Sequence, residues 1–294
     1  MKVRANGLSL ELDDQGPRDA PVVLLVMGLG MQLTGWPEEL VELLVGHGFR
    51  VVRFDNRDAG LSDGFDHAGV PSIPLNALRH ALRLPVRSPY ALQDMAADAV
   101  GVLDALGVAR AHVVGASLGG MICQHLAARW AERVSSLSLI MTTSGSRRLP
   151  GPTLQARRVL LSRPADSRTE TLIAHSIRVF TTIGSPAFRP APDDLRARVA
   201  ASVTRASRPA GTARQLLAIA ADGDRTPLLA RIQAPTQVIH RVVDPRVPVA
   251  NGRDLVRRIP GALGDFIDGM GHDLPQQLLA RIAQGIARNA RRAS

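Results

Sequence analysis

Few folds accommodate the segment 112–127, H-V-V-G-A-S-L-G-G-M-I-C-Q-H-L-A. Residues 112–114 are a short apolar run suited to a buried strand, and 118–127 have helical apolar spacing. Ser117 stands between them, with Gly115 two residues before and Gly119 two after. This is G-x-S-x-G in the context of strand, sharp turn and helix. A serine at such a turn is forced into strained backbone geometry, with its hydroxyl at the top of the strand. The flanking positions must lack side chains because strand and helix pass close together. Gly120 supplies a third such position. The plain alternative, an ordinary tight strand-to-helix turn, is tested against the rest of the chain.

The rest repeats that unit. Residues 3–12 alternate weakly around Asn6-Gly7, a hairpin signal, so two short edge strands are expected. The continuous apolar run 22–27 suits a strand buried on both faces and breaks at Gly28-Leu29-Gly30. A helix over 36–45 and a buried strand over 49–54 follow, broken by Asp55-Asn56-Arg57-Asp58. Residues 60–89 are punctuated by Gly and Pro and read as a long excursion with one helix near 75–84. An amphipathic helix over 91–106 leads into the Ser117 strand, and 134–141 is the next strand.

The character then changes. No β-like run occurs between 144 and 232; helices are predicted near 154–161, 169–180, 193–206 and 212–221. Strand logic resumes at 236–240, with a helix at 249–258, a weaker strand at 263–267 and a last helix over 274–291. The expected fold class is α/β, a doubly wound, mostly parallel sheet. Its first part spans 1–143 and its second 233–294, with a helical insertion, 144–232, between two strands.

Composition narrows the partners. Hydrophobic residues make up 45% of the 294, and aromatics only 3%, so the core is aliphatic. The net charge of +10 raises the question of nucleic acid. Lys2 is the only lysine, and the arginines run through the whole chain rather than forming an arm or stripe. That bias reads as codon composition, and the aromatics needed for stacking on single strands are missing. No nucleic-acid partner is expected. Cys123 is the only cysteine, so no disulfide or Cys-based metal site forms within the chain; it reads as a small core residue. The N-terminus has no apolar h-region and 22–27 is too short to span a bilayer, so no membrane partner and a cytoplasmic location are expected.

A serine hydroxyl becomes a nucleophile only when a base takes its proton and a third group orients that base. In open α/β sheets such groups collect beyond the carboxyl ends of the strands. No carboxylate occupies 142–146, so Asp244, after the 236–240 strand, is the first acid in a strand-end position. A turn or capping aspartate before Pro245 explains it equally well on its own. His272 follows the last strand in a Gly-flanked loop, where an imidazole can reach across the sheet, and is taken as the base. His240 is the runner-up; His112 lies at the wrong end of its strand and His125 inside a helix. The oxyanion donors are expected to be the N–H groups of Leu118 and Leu29, with Gly28 as the alternative. Trp36, Phe180 and Phe188 are candidate pocket residues. No metal and no cofactor is expected.

With these stations in place, the chain resembles the α/β-hydrolase fold family over nearly its whole length. The motifs carrying the resemblance are V-M-G-L-G at 26–30, D-N-R-D-A-G-L-S at 55–62, G-A-S-L-G-G at 115–120, D-P-R-V-P at 244–248 and G-M-G-H at 269–272. Within the family it looks most like bacterial carboxylesterases related to aclacinomycin methylesterase. The resemblance implies an acyl-enzyme on Ser117, with His272 as base then acid and Asp244 orienting it. It also implies a helical cap formed by 144–232. Arg241 departs from the family's pattern, standing where a glycine usually follows the strand-end histidine. A long cation there is expected to bend the acid loop or pair with Asp244.

The function expected is therefore a serine hydrolase cleaving a small, apolar carboxylic ester, acting as monomer or homodimer. A perhydrolase or haloperoxidase-like enzyme and a C–C bond hydrolase share the same three residues. A ligand-binding protein on the same scaffold is the reading from another class; it has no need of a nucleophile.

Overall fold

The computed structural model describes residues 1–162, 164–242 and 244–293. Its centre is one eight-stranded sheet in the order β1-β2-β4-β3-β5-β6-β7-β8. The strands are β1 (Lys2–Ala5), β2 (Leu8–Gln15), β3 (Val22–Val26), β4 (Arg50–Phe54), β5 (Ala111–Ala116), β6 (Val134–Ile140), β7 (Thr236–Arg241) and β8 (Leu263–Ile267). β1 and β2 form the expected hairpin, with positive φ at both Asn6 (49°) and Gly7 (78°). That pair of dihedrals is the turn whose twist matches two antiparallel strands. β2 joins β4 antiparallel, and every pairing from β4 to β8 is parallel.

The apolar run of β3 is divided between two layers. Leu24 and Val26 face the helices α3 (Leu92–Ala105) and α4 (Leu118–Arg129). Val23, Leu25 and Met27 face α1 (Glu38–Gly46) and α11 (Leu279–Arg291). Every β3 residue is buried, because side chains alternate between faces and both faces are covered. β3 lies between β4 and β5, so the chain order reverses beside it. Ligands of open α/β sheets bind at the carboxyl ends of strands at such a reversal.

Among the described residues, the elements between β6 and β7 are all helices: α5 (Leu154–Leu161), α6 (Thr169–Ile183), α7 (Pro192–Arg205), α8 (Pro209–Asp222) and the short α9 (Thr226–Leu229). α10 (Val249–Arg258) separates β7 from β8. Residues 144–232 hold fifteen arginines against six carboxylates, nine of the ten net positive charges of the chain. The arginines occur along the whole sequence but not evenly: this segment of 89 residues holds 15 of the 35, and only 6 of the 26 carboxylates. The excursion after β4 contains α2 (Ile73–Ala81), two residues earlier than the spacing predicts, with Leu75 and Leu78 exposed. Among the described residues no helix is long and apolar enough to cross a membrane.

Candidate active site

Ser117 occupies the turn between β5 and α4 with φ 54° and ψ −116°, a left-handed conformation costly for a residue with a Cβ. The neighbouring glycines explain what holds it there. A Cβ on Gly119 would lie 1.9 Å from the Val26 carbonyl oxygen, and one on Gly115 would lie 2.4 Å from the Gly119 oxygen. Strand and helix thus touch through backbone alone. The end of β6 braces the turn: Ser117 N–H donates to the Ile140 carbonyl at 2.9 Å. Thr142 Oγ1 donates to the Ser117 carbonyl at 2.7 Å. Thr142 also packs against the position where Gly120 lacks a side chain.

The structure brings the three residues singled out in the sequence together. His272 Nε2 lies 3.1 Å from Ser117 Oγ, and His272 Nδ1 lies 2.8 Å from Asp244 Oδ2. An ionised carboxylate only accepts, so Nδ1 carries the imidazole proton and Nε2 is left to accept from the hydroxyl. The other oxygen of Asp244, Oδ1, accepts from the Arg246 and Val247 N–H groups at 2.8 and 2.9 Å. Turn chemistry and orientation of the histidine are therefore both carried by Asp244. Ser117, Asp244 and His272 are all buried.

Burial sets the charge state of this row. It raises the Asp244 carboxyl, but the bond to His272, the nearby Arg241 charge and the Val247 N–H more than reverse that, holding it well below the ordinary carboxylate range. Burial is the largest influence on His272 and pulls the imidazole down to about 4, against the attraction of Asp244. A neutral imidazole over an ionised carboxylate is the resting state at neutral pH. It leaves Nε2 free to take a proton.

The expected donor turn lies beside the serine. A Cβ on Gly28 would stand 3.3 Å from Ser117 Cβ and 3.8 Å from its Oγ. The Gly30 N–H is occupied by Gln215 Oε1 at 2.8 Å, and Met31 N–H by the Gly28 carbonyl at 3.2 Å. Among the described residues the N–H groups of Leu29 and Leu118 make no hydrogen bond, the latter as a first-turn group of α4.

Other candidates take different places. His240 is fully buried and its Nε2–H donates to the Val247 carbonyl at 2.8 Å, which ties the runner-up base to the acid loop rather than to Ser117. His125 Nε2 meets Asp222 Oδ1 at 2.8 Å, and His112 Nδ1 meets Ser136 Oγ at 2.9 Å. Burial pushes the Cys123 thiol up, as for an inert core residue. Trp36 is 1% exposed and packs among Met27, Leu40 and Val41, so its burial is that of a core residue. Phe188 is half-buried near Gly269, and Phe180 is half-buried on α6. Arg241 does not pair with Asp244 among the described residues. Its Nη2 donates to the Asp273 carbonyl and its Nη1 lies 3.9 Å from Asp273 Oδ1 as an ion pair, while its Nε and Nη1 are buried without a hydrogen-bond partner. Burial draws this guanidinium down to about 10.

Sequence reasoning missed the residues that tie the segment after the donor turn and the 55–58 loop to α7 and α8. Asp55 Oδ1 accepts from Leu33 N–H at 2.6 Å, and its Oδ2 accepts from Arg205 of α7 at 2.8 Å. Gln32 Nε2 donates to the Ser202 and Ala206 carbonyls at 2.7 and 2.9 Å. Asp58 holds Arg214 of α8 through two bonds of 2.7 and 2.8 Å and accepts from Tyr90 Oη at 2.8 Å. The D-N-R-D motif was visible, but its partners lie some 150 residues further on. No local spacing signals them.

Comparison with known proteins agrees with this architecture. A family model described as the alpha/beta hydrolase fold matches residues 21–275. The rhodomycin D methylesterase DauP of Streptomyces sp. (strain C5) is 30% identical over 297 residues, covering 95% of this chain and 93% of its own. The rhodomycin D methylesterase DnrP of Streptomyces peucetius is 29% identical with the same coverage. Among solved structures, the enol-lactonase from Burkholderia xenovorans LB400 superposes with a TM-score of 0.73 at 24% identity, covering 100% of this chain and 99% of its own. The meta-cleavage product hydrolase CumD of Pseudomonas fluorescens IP01 reaches 0.76 at 19%, covering 100% and 98%. With a family model across most of its length and curated relatives along nearly all of it, the chain belongs to the α/β-hydrolase fold family.

Proposed function

We propose that the protein is a serine carboxylesterase acting through an acyl-enzyme on Ser117. The observation that carries this reading is the row Ser117 Oγ, His272 Nε2, His272 Nδ1, Asp244 Oδ2, with gaps of 3.1 and 2.8 Å, on a strained turn. Ser117 Oγ attacks the ester carbonyl carbon as His272 Nε2 takes its proton. The negative charge that develops on the carbonyl oxygen is met by the N–H groups of Leu118 and Leu29. Removing one such donor typically costs about 100- to 1000-fold in rate. His272 then returns the proton to the leaving alkoxide, and the alcohol departs. Water, deprotonated by the same nitrogen, attacks the acyl carbon; the bond to Ser117 Oγ breaks, His272 returns the proton to that oxygen, and the acid leaves. Asp244 stays ionised throughout, holding the Nδ1–H tautomer and stabilising the imidazolium.

The helical segment 144–232 is the cap in this reading, closing over Ser117 and shaping the acyl or alcohol pocket. The two methylesterase relatives, by their names, act on a methyl ester of rhodomycin D; a small alkoxy leaving group is the corresponding expectation here.

The test is hydrolysis of a p-nitrophenyl ester series of rising acyl length. Wild type is expected to favour short chains, and Ser117→Ala to lose on the order of 10⁶-fold in kcat. Equal rates in both proteins overturn the esterase reading. Asp244→Asn is expected to lose about 10⁴-fold by imposing the wrong tautomer. Full rate in that variant assigns the orienting role to another acid.

A further inference from the structure

The loop that carries His272 is bound less to the sheet than to the helical segment. Gly271 N–H donates to Ser185 Oγ at 2.8 Å, and Ser185 Oγ–H donates to Asp273 Oδ1 at 2.5 Å. Ser185 N–H donates to Asp273 Oδ2 at 3.1 Å. His272 N–H donates to the Ile183 carbonyl at 2.6 Å, and Ala187 N–H to the Gly269 carbonyl at 3.4 Å. Among the described residues, every hydrogen bond made by the main chain of 269–272 goes to 183–187. The two backbones are in contact: a Cβ on Gly271 would lie 2.1 Å from the Gly184 oxygen. Ser185 is only 2% exposed, so water does not replace its hydroxyl. On the sheet side the loop is held by the buried side chains of Met270 and Leu274 and by the bond from Arg241 to the Asp273 carbonyl.

We propose that Ser185, two residues past the end of α6, is a positioning residue for His272, so that the helical segment and the base form one mechanical unit. A buried hydroxyl that accepts from the residue before the base and donates to the residue after it fixes the loop's height above Ser117. Ring orientation is the separate task of Asp244. If 183–187 moves away from the sheet, the main chain of His272 goes with it and Nε2 leaves the serine. Misplacements of about 1 Å at such a site cost on the order of 100-fold in rate. The proposal rests on His272 being the base only for its kinetic consequence; the mechanical coupling does not.

The experiment therefore has a kinetic and a structural arm. In Ser185→Ala, kcat for a short p-nitrophenyl ester is expected to fall about 10- to 100-fold. KM is expected to change less than about threefold, and Ser185→Thr, which keeps the hydroxyl, is expected to recover most of the loss. The low-field proton resonance of His272 Nδ1–H, assigned by its absence in His272→Gln, is expected to broaden or vanish in Ser185→Ala while the Tm stays near wild type. Retention of both kcat and that resonance in Ser185→Ala overturns the proposal. Equal hydrolysis by wild type and Ser117→Ala removes the esterase reading and leaves the resonance arm decisive. If Ser185→Ala fails to fold, amide hydrogen exchange of the unaltered protein decides. Gly271 and His272 amides are expected to open with those of 185 and 187 at one common free energy. Separate opening overturns the coupling.

Discussion

Two glycine-bearing turns meet at the site, and they are built in opposite ways. The Ser117 turn is closed by what lies next to it: β5 runs into α4, and Gly115 and Gly119 let their backbones touch each other and β3. The His272 loop is equally tight, since Gly271 also lacks room for a Cβ, but its obstacle is the Gly184 backbone nearly ninety residues earlier. One turn is a property of the sheet and its helix. The other takes its main-chain hydrogen bonds, among the described residues, from the segment between β6 and β7. Ser117, the proposed nucleophile, is thus part of the core, whereas His272, the proposed base, sits on a loop shared between the core and the segment 183–187.

The sharpest way to break this contrast is to place a methyl at each glycine. Gly119→Ala forces a Cβ into the Val26 carbonyl, in the middle of the sheet, where nothing can yield. A cost of about 3 kcal/mol or more is expected, read as a fall in Tm of roughly 10 °C or as loss of folded protein. Gly271→Ala is expected to act on a different quantity. Its methyl meets the backbone of 184–185, which lies outside the sheet, so a smaller fall in Tm than for Gly119→Ala is expected while kcat falls on the order of 100-fold. A Gly271→Ala protein as unstable as Gly119→Ala removes the distinction between the two turns.

A smaller effect concerns pH. Burial holds His272 near 4 against an ordinary 6.5, so between those values the unfolded chain binds a proton here that the folded chain does not. Stability from this group therefore rises with pH across that window, is complete above it, and is lost as the solution is acidified through it. In the proposed mechanism the same proton silences the base. The acid limb of kcat/KM is expected well below pH 6.5, with its midpoint near 4. A limb centred at 6.5 or above marks an imidazole that is open to water in the working state.

The elements differed in how far they could be read in advance. Helix α5 begins and ends where its spacing predicts, and α6 runs three residues further than 180. The last helix was expected from 274, but α11 starts at Leu279, because Leu274 and Leu278 turn inward to the core and a short 3-10 turn precedes it. Ser117 was legible because strained turns need small neighbours, and Asp244 and His272 because parallel strands deliver their loops to one edge. Arg241 was not. A cation next to an acid loop suggests a pair with Asp244, yet both oxygens of Asp244 are taken by His272, Arg246 and Val247. The arginine turns instead to the carbonyl of Asp273.

What the amino-acid order determined by itself was local in origin. Alternating and continuous apolar runs set the strands and their two covered faces; glycines around one serine set the turn; strand ends set the stations of acid and histidine. What only the tertiary structure decided was which distant groups meet: Asp55 with Arg205, Asp58 with Arg214, and Ser185 with the backbone on either side of His272. The physical reason is the range of the forces. Steric limits and hydrophobic periodicity act between near neighbours and leave a repeating mark in the sequence. A hydrogen bond between residues eighty or more positions apart needs only one polar group on each side, and a single serine among many carries no such mark.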